Sequence, residues 1–163
     1  MRRMRRALLL AVLIALVLAA APSAAPTTTS AQLTARFKAS TGEKLRLNKT
    51  ASYAGHYRAY DLGAQSVATR ARWGTFTVYL VTAADVDADV TNLLKDTRTG
   101  ALGTPTPGGI YWEQGATLQG QVYWQAKRRY GQNVVVTWIG LSATKKTDAS
   151  WKRLHTAVTK ATR

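Results

Sequence analysis

The chain has 163 residues, no cysteine, and 23 Lys and Arg against 8 Asp and Glu, for a formal net charge of +15. The missing cysteines exclude disulfides and an acylated N-terminal cysteine. Beyond the N-terminal segment about 130 residues remain, enough for a single core that buries about two thirds of the unfolded surface without covalent staples.

In chain order, Met1-Arg2-Arg3-Met4-Arg5-Arg6 is a basic cap, Ala7 to Ala21 an unbroken apolar run, and Pro22-Ser23-Ala24-Ala25 a small-residue stretch. That succession is the pattern of a bacterial export signal over residues 1–25, so a secreted or cell-envelope location is expected. Cleavage is expected after Ala25, with Ala24 and Ala31 as alternatives. The run is shorter than the roughly 20 residues that span a bilayer, so no stable membrane span is expected once the signal is cleaved. Arg5-Arg6 ahead of Ala7-Leu8-Leu9 resembles a twin-arginine export signal, although arginine pairs also occur in ordinary signal caps. Removing the four arginines of the cap from +15 leaves +11 on the remainder.

Residues 26–31 are polar and Pro-led and predict a disordered lead-in to a single domain over 32–163. Leu33 and Phe37 lie four apart ahead of Gly42, which predicts a short amphipathic helix over 32–41. Residues 44–49 and 56–60 predict strands, and 61–71 an Ala-rich helix weakened by Gly63. Thr75 to Val81 is β-branched and aromatic throughout, a strand with Phe76, Val78 and Leu80 on one face. Thr82, with Asp85 three residues on, predicts a capping box for a helix carrying Val86, Val90, Leu93 and Leu94. Residues 97–109, rich in Gly, Pro and Thr, form a loop. Strands follow at 110–112, 121–126 and 133–139, the last two joined by a tight turn at Tyr130-Gly131-Gln132. A helix over 147–161 closes the chain, with Trp151, Leu154 and Val158 as its buried stripe. Arg72-Trp73-Gly74 and Arg129-Tyr130-Gly131 form a faint internal echo, from an old duplication or from shared turn chemistry. The order predicts an α+β domain: a mostly antiparallel sheet of about four to six strands, covered on one face by two to four helices including the C-terminal one.

The sequence offers few chemistries. Asp85, Asp87, Asp89 and Asp96 have the look of a calcium loop, but the sixth position, which needs Gly, is Val90. Two histidines, His56 and His155, and scattered acids supply neither a metal site nor a triad. Gly108-Gly109 lacks the following Lys and helix of a phosphate loop. No cofactor, metal or catalytic set is expected. The basic residues concentrate late, at Lys127, Arg128, Arg129, Lys145, Lys146, Lys152 and Arg153, where they form a field that attracts polyanions. Trp112, Trp124 and Trp138 lie in neighbouring strands, with Tyr111 and Tyr123 on the opposite parity, so one set builds the core and the other lines the open face. Trp112 and Tyr111 therefore join the basic residues as candidate ligand contacts.

The leading expectation is a non-enzymatic exported domain that binds an anionic envelope component (anionic lipid, wall polymer or another extracellular polyanion) or an envelope protein. Two alternatives stand beside it. One is a small envelope glycan hydrolase using Glu113 or Asp61. The other is a protein-partner or inhibitor module using the 97–109 loop.

Overall fold

The computed structural model describes residues 27–116, 122–140 and 149–163. The expected export signal and the candidates Lys145 and Lys146 lie outside the described residues. The described elements are α1 (Ser30–Thr41), β1 (Arg46–Tyr53), β2 (Tyr57–Asp61), α2 (Val67–Trp73), β3 (Thr75–Val81), α3 (Val86–Leu94), β4 (Ile110–Ala116), β5 (Val122–Tyr130), β6 (Val134–Gly140) and α4 (Ala149–Ala161).

The six strands form one antiparallel sheet in the order β1-β2-β3-β6-β5-β4. It consists of two three-stranded meanders, β1–β2–β3 and β4–β5–β6, joined where β3 pairs with β6. The Arg-aromatic-Gly echo falls ahead of the third strand in each meander, and both glycines have positive φ, 69° at Gly74 and 56° at Gly131. This is the mixed α+β single domain expected from the element order.

The two faces of the sheet are covered unequally. Phe76, Val78 and Leu80 of β3, Ala126 and Tyr130 of β5, and Val134, Val136 and Trp138 of β6 point to one face. There they meet Leu33 and Phe37 of α1, Trp73 of α2, and Trp151, Leu154 and Val158 of α4. The alternate residues Val81 and Val135 point to the other face, where Val90 and Leu94 of α3 cover them. Three helices thus lie on one face, and the short α3 caps part of the reverse.

Local chemistry moved several boundaries. The lead-in is ordered from Thr27. Thr28 is 4% exposed, its backbone N–H donates to Asn133 Oδ1 (2.9 Å), and its carbonyl accepts from Asn133 Nδ2 (3.0 Å). A polar segment predicted as disordered is held because one buried amide side chain satisfies its backbone. Thr29 then caps α1, with Gln32 closing the capping box, so that the helix starts at Ser30, two residues before the expected start. The helix expected over 61–71 begins only at Val67. Asp61 Oδ1 accepts from Gly63 N (2.7 Å), a local bond that competes with helix, and Ser66 provides the cap instead. Thr82 is not the cap of α3: its N–H donates to the His56 carbonyl (2.8 Å), and Asp85 caps the helix by accepting from Ala88 N (3.0 Å).

Trp138 fixes the centre of the helix-covered face. It is fully buried, and its indole N–H donates to the Trp73 carbonyl (3.1 Å) at the end of α2. A β-carbon at Gly74 would lie 2.1 Å from Trp138 Nε1, and one at Gly140 would lie 2.1 Å from the far edge of the same ring. Gly74 also needs its positive φ. Gly74→Ala therefore combines a strained backbone with an overpacked core. It is expected to destabilise the fold by about 2–4 kcal/mol, measured by denaturant unfolding.

Candidate anion-binding face

The alternation of β5 separates three consecutive cations. Lys127 and Arg129 point to the reverse face, and Arg128 to the face that carries α4. Lys127 is not a surface residue. Its side chain is 2% exposed, its ammonium lies 2.5 Å from Glu113 Oε1 on β4, and it also donates to the Lys95 carbonyl just after α3. Arg129 pairs with Asp87 of α3 (2.7 Å) and donates to the Gln132 carbonyl. These two members of the expected basic cluster hold α3 and the β5–β6 turn in place. The sequence marks the alternation but not the acids that meet it.

Arg128 sits over the Tyr130 ring, 5.3 Å from its centroid, beside α4. Helix α4 turns its apolar stripe to the sheet and exposes Lys152, Arg153 and Lys160. Arg72, at the end of α2, comes to the same surface, and Arg153 Nη1 donates to its carbonyl (2.6 Å). Together Arg72, Lys152, Arg153 and Lys160 line a groove of about 520 Å³, floored by Trp73 and Ala157. Among the described residues no acid lines it. Arg72 and Lys160 also occupy the last turns of their helices, where a cation offsets the carbonyl end of the helix dipole. Sequence reasoning missed Arg72, which lies 80 positions before Lys152 and joins it only through the packing of α2 on α4.

The aromatics divide by parity. Trp112, Ala126 and Trp138 stand in one cross-strand row on the helix-covered face, and small Ala126 makes room for the rings on either side. Trp112 is half-buried against the core and meets Trp151 edge-on, with centroids 6.0 Å apart. Tyr111 points the other way and packs, partly buried, against the cluster under α3. Trp138 therefore belongs to the main core and Trp112 packs against it, whereas Tyr111 is remote from the basic groove. His155 of α4 lies 2.9 Å from the Tyr130 hydroxyl. Burial, with a smaller contribution from Arg128, lowers its pKa. Burial also holds the Tyr130 phenol well above its ordinary value.

The other candidates are drawn into structural contacts. Glu113 is nearly buried against Lys127 and accepts from the Thr97 hydroxyl (3.0 Å). Asp61 accepts from Asn48 Nδ2 (2.8 Å) and Gly63 N. Strands β2 and β4 stand four positions apart in the sheet, about 19 Å, well beyond the separation of a glycosidase carboxylate pair. The 97–109 loop is tied at both ends. Asp96 Oδ1 accepts from Arg98 N and Thr99 N, and these bonds, the one from Thr99 foremost, lower its pKa. At the far end the Thr106 N–H donates to the Ile110 carbonyl. His56 stacks on Tyr53 (4.3 Å) with Nδ1 held 2.9 Å from Asp89, and no hydroxyl among the described residues is bonded to its ring. Among the described residues no group of three or more acids and histidines is placed to hold a metal ion, and no helix is long and apolar enough to cross a membrane.

Compared with known proteins, the chain matches no family model, no curated protein and no solved structure.

Two outcomes are expected from these contacts. Lys127→Met leaves Glu113 charged and nearly buried, and should cost about 3–5 kcal/mol in denaturant unfolding, with much of the loss restored by adding Glu113→Leu. The lowered pKa of His155 means that, below about pH 6.5, the unfolded chain takes up a proton that the folded chain resists. Stability contributed at this site is therefore complete above that pH and falls as pH drops towards the folded pKa. The melting temperature of His155→Gln should fall less than that of the parent between pH 7 and pH 5.

Proposed function

We propose that the chain is an exported, non-enzymatic basic domain that binds an anionic polymer of the cell envelope through the exposed face of α4. The observation that carries this reading is the groove lined by Arg72, Lys152, Arg153 and Lys160. Three of these residues come from one helix and the fourth from the end of α2. The Arg153–Arg72 contact fixes one guanidinium against a carbonyl rather than a carboxylate, so its charge is not neutralised. Cations held together by the fold repel one another, and a polyanion relieves that repulsion while releasing its own counterions. The export signal read in residues 1–25 places the domain where lipid headgroups and acidic wall polymers are the available polyanions.

Long-chain polyphosphate is a suitable first probe, because it tests charge alone. Its association constant should fall steeply and log-linearly with salt between 50 and 200 mM. The double variant Lys152→Glu/Arg153→Glu should weaken binding by about tenfold or more at low salt while keeping the circular dichroism spectrum of the folded parent. Salt-independent binding, or equal binding by the double variant, overturns the reading.

A further inference from the structure

On the opposite side of Lys152 from the basic groove lies a second groove of about 440 Å³. Pro107, Ile110, Trp112 and Arg128 line it from the sheet side, with Arg128 directly beside Ile110, and Lys152 and His155 line it from α4. Among the described residues no acid lines it. The lining mixes two chemistries. Ile110 and the half-buried Trp112 indole, which Trp151 meets edge-on, are aliphatic and aromatic. Arg128, Lys152 and His155 add two cations and an imidazole. Arg128 is held over Tyr130, and His155 is held by the Tyr130 hydroxyl, so one buried phenol orients both. Lys152 belongs to both grooves, which makes them neighbouring subsites along α4.

From this juxtaposition we infer that the second groove binds a pyranose ring of an acidic polysaccharide. The C–H face of the ring packs on Trp112 and Ile110, its anionic substituent meets Arg128 and Lys152, and the next anion along the polymer falls into the groove of Arg72, Arg153 and Lys160. The inference rests on the proposed function, and it names the class of polymer that the basic face receives. A charge-only polyanion has no use for the apolar side chains of Ile110 and Trp112. A single-stranded nucleic acid is held by successive exposed rings, whereas this groove offers one partly buried indole, because Trp151 is only 4% exposed. An acyl chain would be brought against Arg128, Lys152 and His155, whose charge and polarity it cannot satisfy.

The test compares polygalacturonate, which carries a carboxylate on each pyranose ring, with polyphosphate, which carries charge without rings, and oligothymidylate, which carries charge and bases. Binding of each is measured for the parent protein, Trp112→Ala and Arg128→Gln, with tryptophan fluorescence as a second readout. Trp112→Ala is expected to weaken polygalacturonate binding by about tenfold and polyphosphate binding by less than about twofold. Arg128→Gln, which leaves the indole and its core packing in place, is expected to show the same selectivity. Polygalacturonate should also change the tryptophan emission of the parent, and that change should be lost in Trp112→Ala. If polyphosphate binds but polygalacturonate does not, or if Arg128→Gln weakens both equally, the glycan assignment falls and the polyanion reading stands. If oligothymidylate shows the larger loss in both variants, the groove is a nucleic-acid site and the inference is overturned. Binding of neither polyphosphate nor polygalacturonate removes the proposed function and the inference with it.

Discussion

The packing of Trp138 is the constraint on which the rest of the structure depends. Its ring stands on the third strand of the second meander, opposite Phe76 on the third strand of the first. Its N–H reaches the last carbonyl of α2, and its ring meets Trp151 of α4 at 5.9 Å. One side chain therefore ties both meanders to two helices. Full burial of a side chain of this size stabilises by more than about 2 kcal/mol, but only if its neighbours leave room. Gly74, Gly140 and Ala126 do so. The position of α4, and with it the direction in which the basic residues face, follows from this contact.

With α4 fixed, the cations sort into two classes. Lys127 and Arg129 are held by Glu113 and Asp87 on the reverse face, where they bridge β4, β5 and α3. Of the two, only Lys127–Glu113 is buried; such a pair adds little net stability over an apolar pair, but losing one partner is costly. Arg72, Lys152, Arg153 and Lys160 on the outer face meet carbonyls or solvent instead. A surface on which like charges gather without acids works against compactness.

Much of the fold was legible in the sequence because period and parity are local properties. Phe76, Val78 and Leu80 alternate, and Trp151, Leu154 and Val158 recur at helical spacing, so strand β3 and helix α4 were identified with the correct buried faces. The misplaced boundaries share one cause, which is a hydrogen bond, from a side chain or from distant backbone, to backbone that the pattern had assigned elsewhere. Asn133 holds Thr28 across 105 residues, and the His56 carbonyl holds Thr82. Neither partner leaves a trace in local composition. The candidate site was less legible. Alternation along residues 127–129 announces that the charges divide between two faces, yet nothing in the sequence says that Glu113 and Asp87 await two of them.

The sequence by itself determined composition, charge excess, the signal-like N-terminal segment, the α+β class and the hydrophobic stripes, because each depends only on residue type and spacing along the chain. The tertiary structure alone decided which cations are paired and which stand together outside. That outcome depends on the two meanders meeting at β3 and β6 and on α4 crossing beside α2, both of which are settled by long-range packing around Trp138. Arg72 and Lys152 become neighbours through that packing, as do Trp112 and Arg128, and the grooves they form exist only in the folded chain.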